Sequence, residues 1–294
     1  MKLKPGFVPA LLTPVDANGH LDEASYRKQI EDMIQAGAVG LLALGSMGKQ
    51  AFLCQSTCVE AARVAVDAAA GRVPVFVGAM DVSICRATER IAAMEDLDVA
   101  AFVFTAPYYG GSKPNLVKNY LKGIAAATKH NILVYDLPGV TQFKFTYDFM
   151  LQLRKEIPSL IGIKSADLQM FRKLTLNPEV PDDFILVYSG LDTFDVAYKW
   201  GITNCLDGML PLTPKNTEKM FKAMAEGDFV TGGECLSNIL YLRDTFAANQ
   251  LWPCADEAMH LMGYTGIHGN DLQDPITPAA KEIVRAAMEK VGEL

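Results

Sequence analysis

Eight times along this chain a short apolar run is followed by a longer amphipathic one, and no other feature constrains the fold as tightly. Residues 7–12, 39–44, 73–77, 99–105, 132–135, 160–164, 184–188 and 203–206 read as strands. Residues 22–36, 56–70, 83–97, 114–128, 147–156, 168–174, 193–200 and 214–226 read as the helices that follow them. Local chemistry sets the boundaries. Asp22 is a candidate helix N-cap, Gly37 and Gly71 are helix stops, and Pro114 stands where a first helical turn tolerates proline. The strands are continuously apolar, as expected when both faces are covered. Strict alternation of strand and helix implies parallel strands joined by right-handed crossovers. Eight such units in about 225 residues fit an α/β fold of the closed (β/α)8 type, a TIM barrel, better than an open sheet. The first strand also leads into Thr13-Pro14-Val15-Asp16, with no Gly-rich nucleotide loop. Residues 1–228 are thus assigned to the barrel. Residues 229–294, helical by pattern and broken near Trp252-Pro253 and Asp274-Pro275, form a C-terminal helical extension of the same domain.

Composition excludes several classes. Half of the 294 residues are apolar, ample for a large core, and 27 basic against 34 acidic side chains leave a formal net charge of -7. Nothing in that balance draws the chain to nucleic acid or to an anionic membrane. No apolar run approaches the ~20 residues of a membrane span, and the N-terminus lacks a secretory leader pattern, so a cytoplasmic protein is expected. Cys54 and Cys58 lie one helical turn apart, a spacing open to a metal pair, but no second Cys/His pair has ligand spacing and the four histidines are scattered. The six cysteines read instead as small hydrophobes in a reducing compartment; no metal and no cofactor is expected.

In a barrel of this type chemistry gathers at the C-terminal ends of the strands. Those ends are Gly45-Ser46-Met47-Gly48, Pro107-Tyr108-Tyr109-Gly110, Tyr135-Asp136-Leu137-Pro138, Lys164-Ser165, Ser189-Gly190-Leu191-Asp192 and Asp207-Gly208. Lys164 closes the apolar run Leu160-Ile161-Gly162-Ile163. If it points into the barrel mouth, burial disfavours the ammonium form, and a neutral amine is the nucleophile that Schiff-base chemistry needs; the alternative is a lysine reaching to solvent. Tyr135 stands as proton carrier or as a rim residue packed on a loop. The Gly45–Gly48 turn offers backbone N–H groups to an anion, or is an ordinary βα turn.

Together these strand ends resemble the dihydrodipicolinate synthase / N-acetylneuraminate lyase family of class I pyruvate-dependent aldolases. The likeness runs from Pro9-Ala10-Leu11-Leu12-Thr13-Pro14 to the C-terminal helices, with the motifs in order and at the family spacing. It implies a homotetramer made of two tight dimers. It also implies that Lys164 is the Schiff-base lysine, that Tyr135 is the catalytic tyrosine, and that Tyr109 reaches the site of a neighbouring subunit. Ser46, with the Met47 amide, would hold the keto-acid carboxylate and link the two tyrosines in a proton relay. Several positions depart from the family pattern. Met47 stands for the usual threonine, Lys49 for glutamate and Asp136 for asparagine. Val140 takes the place of the arginine with which dihydrodipicolinate synthases bind a substrate carboxylate, which argues against lysine biosynthesis. Ala166 and Thr193 argue against sialic acid, and Asp207 fills a place more often small or hydroxylic.

The reading that follows is a lyase that makes or breaks a C–C bond between pyruvate and an aldehyde, on a 2-keto-3-deoxy sugar acid or a related 2-keto acid. Lys164, Tyr135, Tyr109 and Ser46 form its catalytic set, and Ser46, Met47, Gly190, Asp192 and Asp207 bind substrate. Two alternatives are a dehydratase or deaminase using the same imine, and a non-catalytic barrel that binds a keto acid. Retention of all four catalytic residues weighs against the last.

Overall fold

The eight apolar runs form eight parallel strands in the computed structural model, which describes residues 2–109 and 113–294 and so leaves Gly110 outside the described residues. They are β1 (Gly6–Pro9), β2 (Leu41–Ala43), β3 (Val75–Gly78), β4 (Ala101–Phe104), β5 (Ile132–Tyr135), β6 (Leu160–Ser165), β7 (Ile185–Tyr188) and β8 (Asn204–Asp207). From β2 to β8 each pairs with its neighbour in chain order, and β8 returns to β1 with Pro9 opposite Asp207. Between β1 and β2 the ring closes through a bridge of Ala10 to Leu42, with Leu11 N donating to Leu42 O at 2.9 Å and Val39 N to Phe7 O at 2.9 Å.

Alternate residues of each strand face opposite ways, and the core splits accordingly. Val8, Leu42, Phe76, Val103, Leu133, Val187 and Leu206 fill the barrel interior. Phe7, Leu41, Val77, Phe102, Val134 and Cys205 face the surrounding helices. Those helices are α1 (Glu23–Gln35), α2 (Gln55–Ala69), α3 (Ile84–Ala92), α4 (Pro114–Ala125), α5 (Pro138–Thr141), α6 (Tyr147–Glu156), α7 (Leu168–Leu176), α8 (Phe194–Lys199) and α9 (Pro214–Ala225). Asp22 caps α1 as expected, its carboxylate accepting from Ser25 N.

The structure trims several expected boundaries for local reasons. The run 7–12 is one extended segment, but after Pro9 it changes ladders: Ala10 N donates to Asp207 O, Leu11 N to Leu42 O. The run 39–44 stops at Ala43 because Leu44 adopts φ 57°, turning the chain into the Gly45–Gly48 loop. The helix expected over 83–97 ends at Ala92, beyond which i→i+3 bonds such as Met94 N to Ile91 O tighten the chain into turns. The single-turn α5 went unforeseen.

The C-terminal extension comprises α10 (Phe229–Ala248), α11 (Leu251–Leu261) and α12 (Pro278–Lys290). Its Phe246, Cys254, Ala258 and Met288 join the same outer core as the barrel helices. The break expected near Trp252-Pro253 falls earlier, at Asn249-Gln250, where Gln250 takes φ 69°. Pro253 sits inside the first turn of α11, where the missing N–H breaks no helical bond. No helix among the described residues is long and apolar enough to cross a membrane.

Candidate active site

Strand register decides which side chains meet. Tyr135 and Lys164 are register partners on adjacent parallel strands, so their side chains leave the sheet side by side. The ladder slips between Ile132 and Leu133, pairing Leu160 with Ile132 but Gly162 with Leu133. That irregularity brings Lys164 into phase with the interior-facing Tyr135. The Lys164 ammonium position lies 3.8 Å from the centroid of the Tyr135 ring. Lys164 is only 6% exposed, and among the described residues no carboxylate pairs with it.

Above this pair opens a cavity of about 250 Å³, reached by Ser46, Met47, Tyr135, Lys164, Asp207 and Arg243. A larger concavity, about 410 Å³, lies around Leu3, Val180 and Asn204 near the start of β7 and β8. It is the wrong end for barrel chemistry, which collects beyond the strands' C-termini.

Each cavity residue has a local cause. Ser46 and Met47 ride the turn after β2, where Thr13 Oγ1 donates to Gly48 O at 2.9 Å and pins the turn to the β1 segment. Met47 leans against Gly208, where an added Cβ would sit 2.0 Å from Met47 Cγ; only glycine admits the methionine. Asp207 ends β8, its Oδ1 accepting from Met209 N at 2.9 Å, and no cation pairs with it among the described residues. Burial raises its carboxyl above the ordinary aspartate value, against the pull of the Lys164 charge.

The other sequence-predicted residues lie elsewhere. Tyr109 is 85% exposed and stands off the cavity of its own chain. The Tyr135 hydroxyl makes no hydrogen bond to Ser46 among the described residues, so one chain alone does not close the relay expected from the sequence. Asp192 is at the rim, gripped by Arg243 through bonds of 2.6 and 2.8 Å. Gly190 lies beneath the Tyr188 hydroxyl, which a Cβ there would meet at 2.3 Å; that hydroxyl pairs with Thr193 Oγ1 at 2.6 Å. The glycine's visible role is therefore to seat Tyr188.

Three departures from the family pattern find partners. The Asp136 carboxylate receives Lys144 and accepts from Ser165 Oγ at 2.6 Å and from Phe145 N at 3.1 Å, tying the segment after α5 to β6. Lys49 is buried and donates to Ile267 O at 2.7 Å and Gly269 O at 2.9 Å, clasping a loop of the extension. Burial lowers the Lys49 amine to about 8, with Asp256 and Asp271 opposing. Val140 is 57% exposed on α5 and does not line the cavity.

Sequence reasoning missed Arg243. It comes from α10, nearly two hundred residues from the β2 turn it faces, and no periodicity announces a cavity residue on an outer helix. Besides Asp192 it holds Asp244 at 2.8 Å.

The sequence profile of the Dihydrodipicolinate synthetase family matches residues 4–293. The 4-hydroxy-tetrahydrodipicolinate synthase of Stutzerimonas stutzeri (strain A1501) is 31% identical over 296 residues, 98% of this chain and 99% of its own. The enzyme of the same name from Phenylobacterium zucineum (strain HLK1) is 28% identical over 292 residues, 98% of this chain and 97% of its own. Among solved structures, YagE, a prophage protein of the dihydrodipicolinic acid synthase family from E. coli K12 in complex with pyruvate, superposes with a TM-score of 0.89 at 20% identity over 98% of both chains. The dihydrodipicolinate synthase of Thermotoga maritima gives 0.89 at 20% identity over 99% of this chain and 100% of its own. At such identities the structural likeness is one of fold.

Proposed function

The chain belongs to the dihydrodipicolinate synthetase family of class I Schiff-base lyases that work on pyruvate, and on that premise we propose that it makes or breaks the C–C bond between pyruvate and a hydroxylated aldehyde, with Lys164 as the imine-forming residue. The observation that carries this reading is the buried Lys164, held in no ion pair among the described residues, with its amine over the Tyr135 ring at the cavity floor. A lysine so held has no structural partner to satisfy and is open to a ketone from the cavity side.

The steps follow from these positions. The Lys164 amine adds to the C2 ketone of a 2-keto acid, and the carbinolamine loses water to give an iminium. Ser46 and the Met47 amide bind the carboxylate. Tyr135, having given its proton to the hydroxide lost from the carbinolamine, takes the proton of the 4-hydroxyl as phenolate; the C3–C4 electrons move into the iminium, releasing the aldehyde and leaving an enamine. Protonation at C3 and hydrolysis return pyruvate and the free amine.

The far end of the cavity selects the aldehyde. Its one guanidinium among the described residues, Arg243, is already matched by Asp192 and Asp244, and Asp207 adds a further acidic group. An anionic aldehyde would have to displace one of these carboxylates, and an unmatched buried carboxylate is costly. Hydroxyl groups, by contrast, can donate to Asp207 and Asp192. We therefore favour a 2-keto-3-deoxy sugar acid over aspartate semialdehyde, whose carboxylate also loses its arginine partner through Val140. The test is a pyruvate-coupled assay comparing 2-keto-3-deoxy acids with pyruvate plus aspartate semialdehyde. A clear preference for the semialdehyde would return the protein to dihydrodipicolinate synthesis. Asp207 also favours a second reading, dehydration through the same imine: it lines the cavity, and a carboxyl whose proton affinity is raised by burial is suited to giving a proton to a departing hydroxide. Products that keep the full carbon skeleton, less water, would select it.

A further inference from the structure

Two of the four histidines that look scattered in the sequence, His260 and His268, come together in space. Asp256 and His260 lie four apart on one face of α11, and His268 returns to them from the following loop. One ligand-type atom of each lies within 4.8 Å of the other two. His260 Nε2 is 2.7 Å from Gly266 O and so carries the proton, which turns the Nδ1 lone pair toward Asp256 Oδ2, 4.0 Å away. Two lone-pair atoms facing each other across that gap are too far apart for a strong hydrogen bond and suitably spaced for a cation between them. A histidine whose second nitrogen is fixed by a backbone carbonyl is the usual arrangement around a metal. His268 Nδ1 lies 3.2 Å from Asp256 Oδ1. This is close to the roughly 3.3 Å edge of a tetrahedron with ~2.0 Å bonds. His268 is 0% exposed; its Nδ1 and its backbone N, at 2.6 Å, both face Asp256 Oδ1, and its Nε2 has no partner among the described residues.

We propose that Asp256, His260 and His268 form a binding site for a divalent transition-metal ion of the zinc type, which ties the loop after α11 to that helix. Two imidazoles and one carboxylate favour zinc over magnesium or calcium, which prefer all-oxygen sets. Three protein ligands leave one coordination position for water. The loop is already held against the barrel on both sides of His268: Lys49 binds Ile267 O and Gly269 O, and Ile267 pairs with Val15. Lys49 faces the site beside the three ligands, and Asp271 lies near Lys49. Lys49 opposes a second cation beside the site, its ammonium being held by the Ile267 and Gly269 carbonyls. The site lies outside the imine chemistry, and Lys49 follows Ser46 by three residues, so its effect would be on stability and on the set of the carboxylate-binding turn.

The experiment uses the full-length protein, stripped with a chelator and titrated with Zn2+, and with Co2+ as a spectroscopic probe. The expected result is one ion per chain, a raised Tm with Zn2+, and Co2+ visible absorption of the intense, low-symmetry kind. His260→Gln alters a partly exposed ring and should leave the fold intact. It should weaken binding beyond the roughly 10–100-fold that losing a mere outer partner costs, while His20→Gln, at an exposed histidine elsewhere, should not. Substoichiometric binding, an unchanged Tm, or equal affinity in His260→Gln and Asp256→Asn would overturn the proposal. Binding that survives those changes would place any ion elsewhere on the chain.

Discussion

Tyr135, Asp207 and Met47 each carry a separable consequence. If the Tyr135 hydroxyl moves the proton while its ring supports Lys164, Tyr135→Phe keeps the ring and loses the transfer. We expect kcat to fall about 10²–10⁴-fold with pyruvate affinity nearly unchanged; steady-state kinetics showing kcat within a few-fold of the parent would reduce Tyr135 to a packing residue. Asp207 is a matter of stability as well. Its folded carboxyl sits above the unfolded value of about 3.9, so the folded state favours the proton, and stability is lost as pH rises through that window. Asp207→Asn retains an acceptor for Met209 N and removes the buried charge. Its Tm should therefore exceed the parent's at neutral pH, with the gap closing as pH falls toward 4, a range that paired thermal melts would cover. An Asn variant that is less stable at neutral pH would mean that the Lys164 charge outweighs desolvation. Lys164, Tyr135, Ser46, Met47 and Asp207 were legible in the sequence because each ends an apolar strand or sits on the turn just after one, and strand ends converge in a barrel. Arg243 and the His260–His268 cluster were not, because helices outside the ring bring them in by tertiary packing.

Elements explain where the expected boundaries moved. The strand runs were identified by their apolar continuity, which says nothing of where a ladder stops. Leu44 leaves β2 through a left-handed conformation and the β1 segment changes partners at Ala10, events set by the neighbouring strands. The short α5 lacks the length that periodicity needs. One element contact is directly testable. β8 and the β2 turn approach so closely that Gly208 has no room for a methyl group beside Met47. Gly208→Ala should cost about 1–3 kcal/mol, as overpacking does, and raise KM for pyruvate by shifting the Met47 amide. Met47→Ala in the same chain should recover much of both losses, measured by denaturant melts and kinetics. If the double variant is no better than Gly208→Ala, the two residues are not in the contact described.

For the whole molecule, the ring of eight strands and the C-terminal helices follow from pattern and length, whereas the assembly does not follow from a single chain. Tyr109 stands exposed beside strand β4, and the family resemblance implies that a neighbour receives it. We expect a tetramer by analytical ultracentrifugation, and loss of activity on dilution to monomer if Tyr109 completes the relay of Tyr135 and Ser46 across subunits. A fully active monomer would remove Tyr109 from the catalytic set. The central claim, an imine on Lys164, has the most direct test. Reduction with borohydride in the presence of pyruvate should leave one covalent adduct per chain, mapped by peptide mass spectrometry to Lys164, and both Lys164→Ala and Lys164→Arg should abolish turnover and trapping. An adduct on another lysine, or none with any 2-keto acid, would contradict the account.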